Sequence, residues 1–176
     1  MTDSLTLHAI TVLGRDRPGI IAETTERLAG LGLNLEDSTM TLLRGHFSMM
    51  LLSSGAAPAD VIETSLAPLT ADGSLTVTVR QVPTDDPATP AGSPWILSVH
   101  GGDRPGIVSA LVAEVARVGG NITDLTTRLA ANLYVVIAEI DLPGDADAAE
   151  LKQAIASVAR ELGVEASLRA AEADDL

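Results

Sequence analysis

The chain has 176 residues, a net charge of −13 and no cysteine. This charge repels phosphate groups, so direct binding to nucleic acid or to an anionic membrane is disfavoured. The absence of cysteine excludes disulfides, thiol nucleophiles and thiolate metal sites. No stretch approaches the roughly 20 apolar residues of a membrane span, and we expect a cytoplasmic protein.

The first half of the chain alternates between strand and helix patterns. Period-2 alternation with β-branched residues indicates strands, and apolar residues at helical spacing indicate helices. Pro18 suits the first turn of the first helix. The predicted elements are, in order, a strand at 5–13, a helix from 18 to a stop at 30–32, strands at 33–43 and 46–53, a helix at 58–69 and a strand at 75–82.

The second half repeats this βαββαβ order, which is the ferredoxin-like arrangement. Right-handed crossovers then predict an α+β fold in each half, a four-stranded antiparallel sheet with both helices on one face. We expect two domains, residues 1–82 and 94–171, joined by a proline-rich linker at 83–93. The predicted elements of this half are a strand at 95–100, a helix at 105–118, strands at 122–130 and 133–142, a helix at 147–162 and a strand at 164–168.

Apolar side chains on the strands indicate how the sheets are covered. Residues 134–138 form a nearly continuous apolar run, which is typical of a strand buried on both sides. We therefore expect the open sheet faces or edges to pack against a second domain or subunit. Met49 and Met50 are both expected to fill core space.

A short motif occurs twice at the junction of the first strand and first helix of each half. Residues 14–20, Gly-Arg-Asp-Arg-Pro-Gly-Ile, recur 87 residues later as Gly-Gly-Asp-Arg-Pro-Gly-Ile at 101–107. The same offset matches Asn34 to Asn121. Such a repeat predicts two copies of whatever chemistry the loop supports.

This loop presents backbone amides at the start of a helix. The N–H groups of Gly19 and Ile20 are expected to be free to bind an anion, and glycine leaves room for a ligand. Asp16 either caps the helix or turns its carboxylate to a ligand's ammonium group. Gly106, Ile107 and Asp103 present the same alternatives in the second copy.

Other polar residues also have two interpretations. Asn34 and Asn121 either tolerate the turn after a glycine or bind the polar ends of an amino acid through their amides. Arg17 and Arg104 either form a surface ion pair or reach a ligand's carboxylate. The histidines His8, His46 and His100 share no metal-ligand spacing, so we expect neither a metal site nor a cofactor. They are expected to be ordinary strand residues, with a contact between His100 and a ligand as the alternative.

Asp-Arg-Pro-Gly-Ile followed by a glycine and Asn-(Leu/Ile)-x-Asp, in βαββαβ order, resembles the ACT domain, a regulatory module that binds amino acids. Two copies without a catalytic domain are similar to the glycine cleavage system transcriptional repressor family. The resemblance implies that a pocket, often at an interface between two domains, is lined by Asp16, Gly19, Ile20, Asn34, Asp103, Gly106, Ile107 and Asn121.

The resemblance also implies a function. It predicts a non-catalytic, homo-oligomeric regulator that binds a small amino acid such as glycine or serine and modulates a transcriptional or metabolic protein partner. The copies differ, because Arg15 is replaced by Gly102 and His8 by Trp95, so one copy could bind while the other supports assembly. The alternative is a protein-protein interaction scaffold without a ligand.

Overall fold

The computed structural model describes residues 5–84 and 92–171. These residues form two compact units, one on each side of the gap. Most of the predicted linker, residues 83–93, falls in this gap and lies outside the described residues.

The first unit is a four-stranded antiparallel sheet with helices on one face. Its strand order is β2-β3-β1-β4, which confirms the predicted ferredoxin-like α+β fold. The elements are β1 (Thr6–Arg15), α1 (Ile20–Gly30), β2 (Asn34–Leu43), β3 (His46–Gly55), α2 (Ala59–Leu66), a 3-10 turn (Ala67–Thr70) and β4 (Leu75–Val82).

The second unit has the same topology, with strand order β6-β7-β5-β8. The offset of 87 residues holds without a gap through the first four elements of each unit, and the two units differ in length only after that. The elements are β5 (Ser93–Gly102), α3 (Ile107–Arg117), β6 (Asn121–Ala130), β7 (Leu133–Leu142), α4 (Ala148–Leu162) and β8 (Val164–Ala170).

Each core lies between the sheet and its helices. Alternate strand residues face the helices, and helix residues three and four apart meet them. Burying each such side chain contributes about 1.5–3 kcal/mol relative to exposure. In the first unit the core includes Ile10, Val12, Met49 and Leu51 from the strands and Ile20, Leu28, Ile62 and Leu66 from the helices.

The opposite face of each sheet carries exposed apolar side chains. Met49 is buried as expected, but Met50 is 45% exposed, so its predicted core position is wrong. The physical reason is that successive strand residues point to opposite faces, so only one of the two can meet the helices. Ile137, within the run expected to be buried on both sides, is 46% exposed. Packing of these faces against a partner stays a prediction.

Candidate functional site

The two repeated loops form equivalent corners between a strand and a helix. Helix α1 begins at Ile20, after Gly19 at φ 90° and ψ −4°. Helix α3 begins at Ile107, after Gly106 at φ 94° and ψ −6°. This left-handed backbone disfavours any residue with a Cβ, which is why glycine stands there. Pro18 therefore lies in the turn before α1 and not in its first turn.

Neither corner is capped by a side chain. Asp147 caps α4 by accepting from the N–H groups of Ala149 and Glu150 at 2.9 and 3.0 Å, whereas α1 and α3 have no side-chain cap. The capping role considered for Asp16 and Asp103 is therefore wrong in this structure. The reason is that the left-handed glycine takes the cap position, so the aspartate precedes the helix by several residues. Among the described residues, the first N–H groups of both helices thus have no side-chain acceptor.

A cavity lies beside each corner, with a volume of about 440 Å³ in the first unit and about 480 Å³ in the second. Both volumes are within the range of small-molecule pockets. The first is lined by Asp16, Arg17, Gly19, Ile20, Ile21, Ala22, Met40 and Phe47. The second is lined by Asp103, Arg104, Pro105, Gly106, Ile107, Val108, Ser109 and Tyr134. Three of the four predicted site residues of each copy are thus brought together.

The fourth predicted residue lies elsewhere in each unit. Asn34 pairs with Ser54 at the far end of β3, while Leu43, at the other end of β2, pairs with His46 beside the corner. Nine residue steps along a strand span about 30 Å. Asn34 therefore does not line the cavity of its own unit, and Asn121 is placed in the same way in the second unit.

Arg17 is engaged by acidic side chains. Its Nη2 lies 3.3 Å from Glu23 Oε2, and Arg27 lies 3.0 Å from the other Glu23 oxygen. Hydrogen bonding from Arg27, and in smaller part from Arg17, holds the pKa of Glu23 below its usual value. The pKa of Asp72 is also lowered, chiefly by Ser74 and in part by the charge of Arg17. The predicted surface ion pair is confirmed for Arg17.

Arg104 has a different environment. The positions equivalent to Glu23 and Arg27 are Ala110 and Glu114, so helix α3 offers no acid at the matching place. The guanidinium instead lies against Gly163, where three of its atoms are 3.5–3.6 Å from the place a Cβ would occupy. Within residues 5–84 and 92–171, Arg104 forms no hydrogen bond or ion pair.

The histidines occupy unrelated positions. His8 is buried on the helix-facing side of β1, directly across from Ser53 of β3, while the exposed His100 lies 3.0 Å from Glu165. In the described part of the chain no group of three or more His, Cys, Asp or Glu side chains is arranged to hold a metal ion. None of the described helices is long and apolar enough to cross a membrane.

The sequence reasoning missed the side chains that complete the cavity walls. Met40 and Phe47 come from β2 and β3, and Ser109 and Tyr134 come from α3 and β7. The strands β2, β3 and β7 are distant in sequence from the corners whose cavities they line. The available signal was the predicted ferredoxin-like topology, in which the third strand of each unit pairs with the first, so that the start of β3 or β7 lies beside the end of β1 or β5.

Comparisons with known proteins agree with the fold of both units. The sequence model of the ACT domain family matches residues 7–80 and 93–169. The glycine cleavage system transcriptional repressor of Escherichia coli (strain K12) is 30% identical over 167 residues, covering 90% of this chain and 87% of the repressor.

Two solved structures have a similar fold. The crystal structure of an unknown protein from Galdieria sulphuraria has a TM-score of 0.83 at 27% identity, covering 96% of this chain and 100% of that chain. A structure assigned as a glycine cleavage system transcriptional repressor has a TM-score of 0.70 at 20% identity, covering 96% and 98%. Because the second structure is only 20% identical to this chain, its similarity supports the fold and not a shared function.

Proposed function

Because this chain belongs to the ACT domain family, with two such domains in tandem, we propose that it is a non-catalytic regulator that binds a small amino acid such as glycine or serine. Binding changes its affinity for a protein partner. The observation that carries the proposal is the pair of uncapped corners, each with a cavity beside it. The domains correspond to residues 1–82 and 94–171, with residues 83–93 as the linker.

The corner chemistry suits a zwitterion. The ligand's carboxylate accepts from the free N–H groups at the start of α1 or α3, where the helix dipole also favours negative charge. Its ammonium group meets the carboxylate of Asp16 or Asp103, which line the same cavities. Both carboxylates are free for this role because neither caps its helix.

Asn34 and Asn121 contribute to ligand binding at the corner of a second copy of the chain. The strands β2 and β6 are edge strands of their sheets, and every residue of β2 is exposed. Antiparallel pairing of two such edges would bring the asparagine end of one strand beside the corner end of the other. This arrangement supports a homo-oligomer whose sites use residues from two domains.

Regulation follows from linkage. A ligand held by groups from two domains binds the assembled state more tightly, and so it shifts the assembly equilibrium by its differential affinity. The E. coli relative is named a transcriptional repressor, which supports a partner in transcriptional or metabolic control. With a net charge of −13, the chain acts through a protein partner and not by binding DNA directly.

Calorimetric titration of the full chain with each of the twenty amino acids tests the proposal. We expect one or a few small amino acids to bind, and we expect the double variant Asp16→Ala, Asp103→Ala to lose that binding. Asp145→Ala is a control, because this exposed aspartate is not among the residues that line either cavity. The proposal fails if no amino acid binds, or if the double variant binds like the wild type.

A ligand-free interaction scaffold is the second candidate, favoured by the exposed apolar side chains on the open sheet faces. Met50, Ile137 and Leu13 are each more than two-fifths exposed. Native mass spectrometry separates the two functions, since a scaffold would assemble without retaining a small molecule and its assembly would not respond to amino acids.

A further inference from the structure

We propose that the second unit holds the principal amino acid site and that it selects a ligand carrying a hydroxyl group, through Arg104, Tyr134 and Ser109. This inference rests on the proposed function, which names a small amino acid but neither the repeat nor the chemistry of the ligand's side chain. It follows from comparing the two cavities position by position at the offset of 87 residues.

The first difference is the charge available to a ligand. Arg17 forms an ion pair at 3.3 Å with Glu23, a carboxylate that it shares with Arg27, and its charge also acts on Asp72. A carboxylate binding at Arg17 must compete with those two acids. Arg104 has no acidic partner among the described residues, so its guanidinium can receive a ligand carboxylate through paired N–H donors.

The second difference is how the arginine is held. Gly163 ends helix α4 in a left-handed conformation at φ 66°, and it has no side chain to separate the guanidinium from the backbone. Nη1, Nη2 and Cζ of Arg104 lie 3.5, 3.5 and 3.6 Å from the position that a Cβ at Gly163 would occupy. Because these three distances are nearly equal, the guanidinium presents its flat face to Gly163. Its edges, which carry the N–H donors, are left for other partners. The negative end of the α4 dipole also favours a cation there.

The third difference is the polarity of the cavity wall. Phe47 and Ala22 line the first cavity, and Tyr134 and Ser109 occupy the equivalent positions of the second. Met40, a further apolar wall of the first cavity, corresponds to Thr127. The second cavity therefore has two hydroxyl groups where the first has a phenyl ring and a methyl group.

These hydroxyl groups are suited to reading a ligand hydroxyl. Ser109 Oγ donates to the carbonyl of Gly106 at 3.0 Å, so its lone pairs remain free to accept. The Tyr134 hydroxyl forms no hydrogen bond within the described units, and it can both donate and accept. A site that forms hydrogen bonds to a ligand's hydroxyl rejects the analogue lacking it, because the polar groups are then left without partners.

Calorimetry with serine and alanine, which differ by one hydroxyl, tests the inference in the full chain. We expect the wild type to bind serine roughly tenfold more tightly than alanine, as for one net hydrogen bond. Tyr134→Phe should remove most of this preference by weakening serine binding more than alanine binding. Arg104→Gln should weaken both ligands by tenfold or more, and Arg160→Gln, on the exposed last turn of α4, is the charge-matched control.

The outcomes separate the two proposals. If serine and alanine bind equally, or if Tyr134→Phe keeps the serine preference, the inference is wrong while the amino acid site stands. If Arg17→Gln weakens binding as much as Arg104→Gln, the assignment to the second unit is wrong. If no amino acid binds the wild type, the proposed function itself fails. Far-UV circular dichroism of each variant distinguishes lost binding from lost folding.

Discussion

The backbone at the second corner predicts the effect of Gly106→Ala on stability. Gly106 has φ 94°, and a Cβ there would meet only Ser109 Oγ, at an ordinary contact distance of 3.9 Å. The cost of the substitution is therefore conformational and not steric. A residue with a Cβ pays about 1–2 kcal/mol in the left-handed region, and the lower entropy of the unfolded chain offsets about 0.4–1 kcal/mol of this.

Gly102→Ala is the matched control, four residues earlier in the same corner. A Cβ at Gly102 meets nothing within 4 Å, and its φ is not positive. Only the unfolded-state effect acts there, so this variant should gain about 0.4–1 kcal/mol. The two variants should differ by about 1–2 kcal/mol, which is on the order of 1 M in the urea midpoint.

Trp95 provides the assay, because it is the sole tryptophan of the sequence and lies in β5. Its ring packs beside α4, with Lys152 Nζ 5.0 Å from the ring centroid, so its fluorescence reports unfolding of the second unit. We expect a lower midpoint for Gly106→Ala and an equal or higher midpoint for Gly102→Ala. Equal midpoints for the two variants would refute the argument that backbone conformation fixes glycine at the corner.

Two further predictions concern charged groups. The pKa of Glu23 is lowered from 4.5, first by its hydrogen bond to Arg27, so this carboxylate stabilises the fold above pH 4.5 and loses that effect as the pH falls through its lowered pKa. Arg27→Gln should raise the pKa of Glu23, as measured by carboxyl-carbon NMR titration, and an unchanged pKa would contradict the assignment. Asp147→Ala should cost about 1 kcal/mol by removing the α4 cap, while Asp103→Ala, which removes no cap, should leave the urea midpoint of Trp95 fluorescence nearly unchanged.

The sequence predicted the order of elements because each has a clear period. The predicted bounds of β4 and β7, residues 75–82 and 133–142, agree with the structure, since turn residues flank both strands. Burial was harder to predict where apolar residues are adjacent. Met49 and Met50 are equally apolar, and only the pairing of β3 with β1 decides which of them faces the helices.

The corner was predictable because its unusual residues are local and repeated. Asp16 and Gly19 belong to one short loop, and their spacing alone indicates a strand passing into a helix. The position of Asn34 depends instead on α1, which carries the chain away from the loop before β2 runs back toward it. The cavity walls, such as Tyr134, depend on strand pairing across some thirty residues, and no local pattern reports it.

The gapless match of the first four elements, together with the unequal second helices, shows where the fold accepts added length. One residue inserted within a β-strand would turn every later side chain of that strand to the opposite face. The second crossover has eight helical residues plus a 3-10 turn in one unit and fifteen helical residues in the other. An engineer grafting a reporter or an affinity epitope should therefore choose the second crossover ahead of Asp72, where the two units already differ in length. Ser74 should stay in place, because its carbonyl accepts from the Arg15 N–H at 3.0 Å beside the first corner.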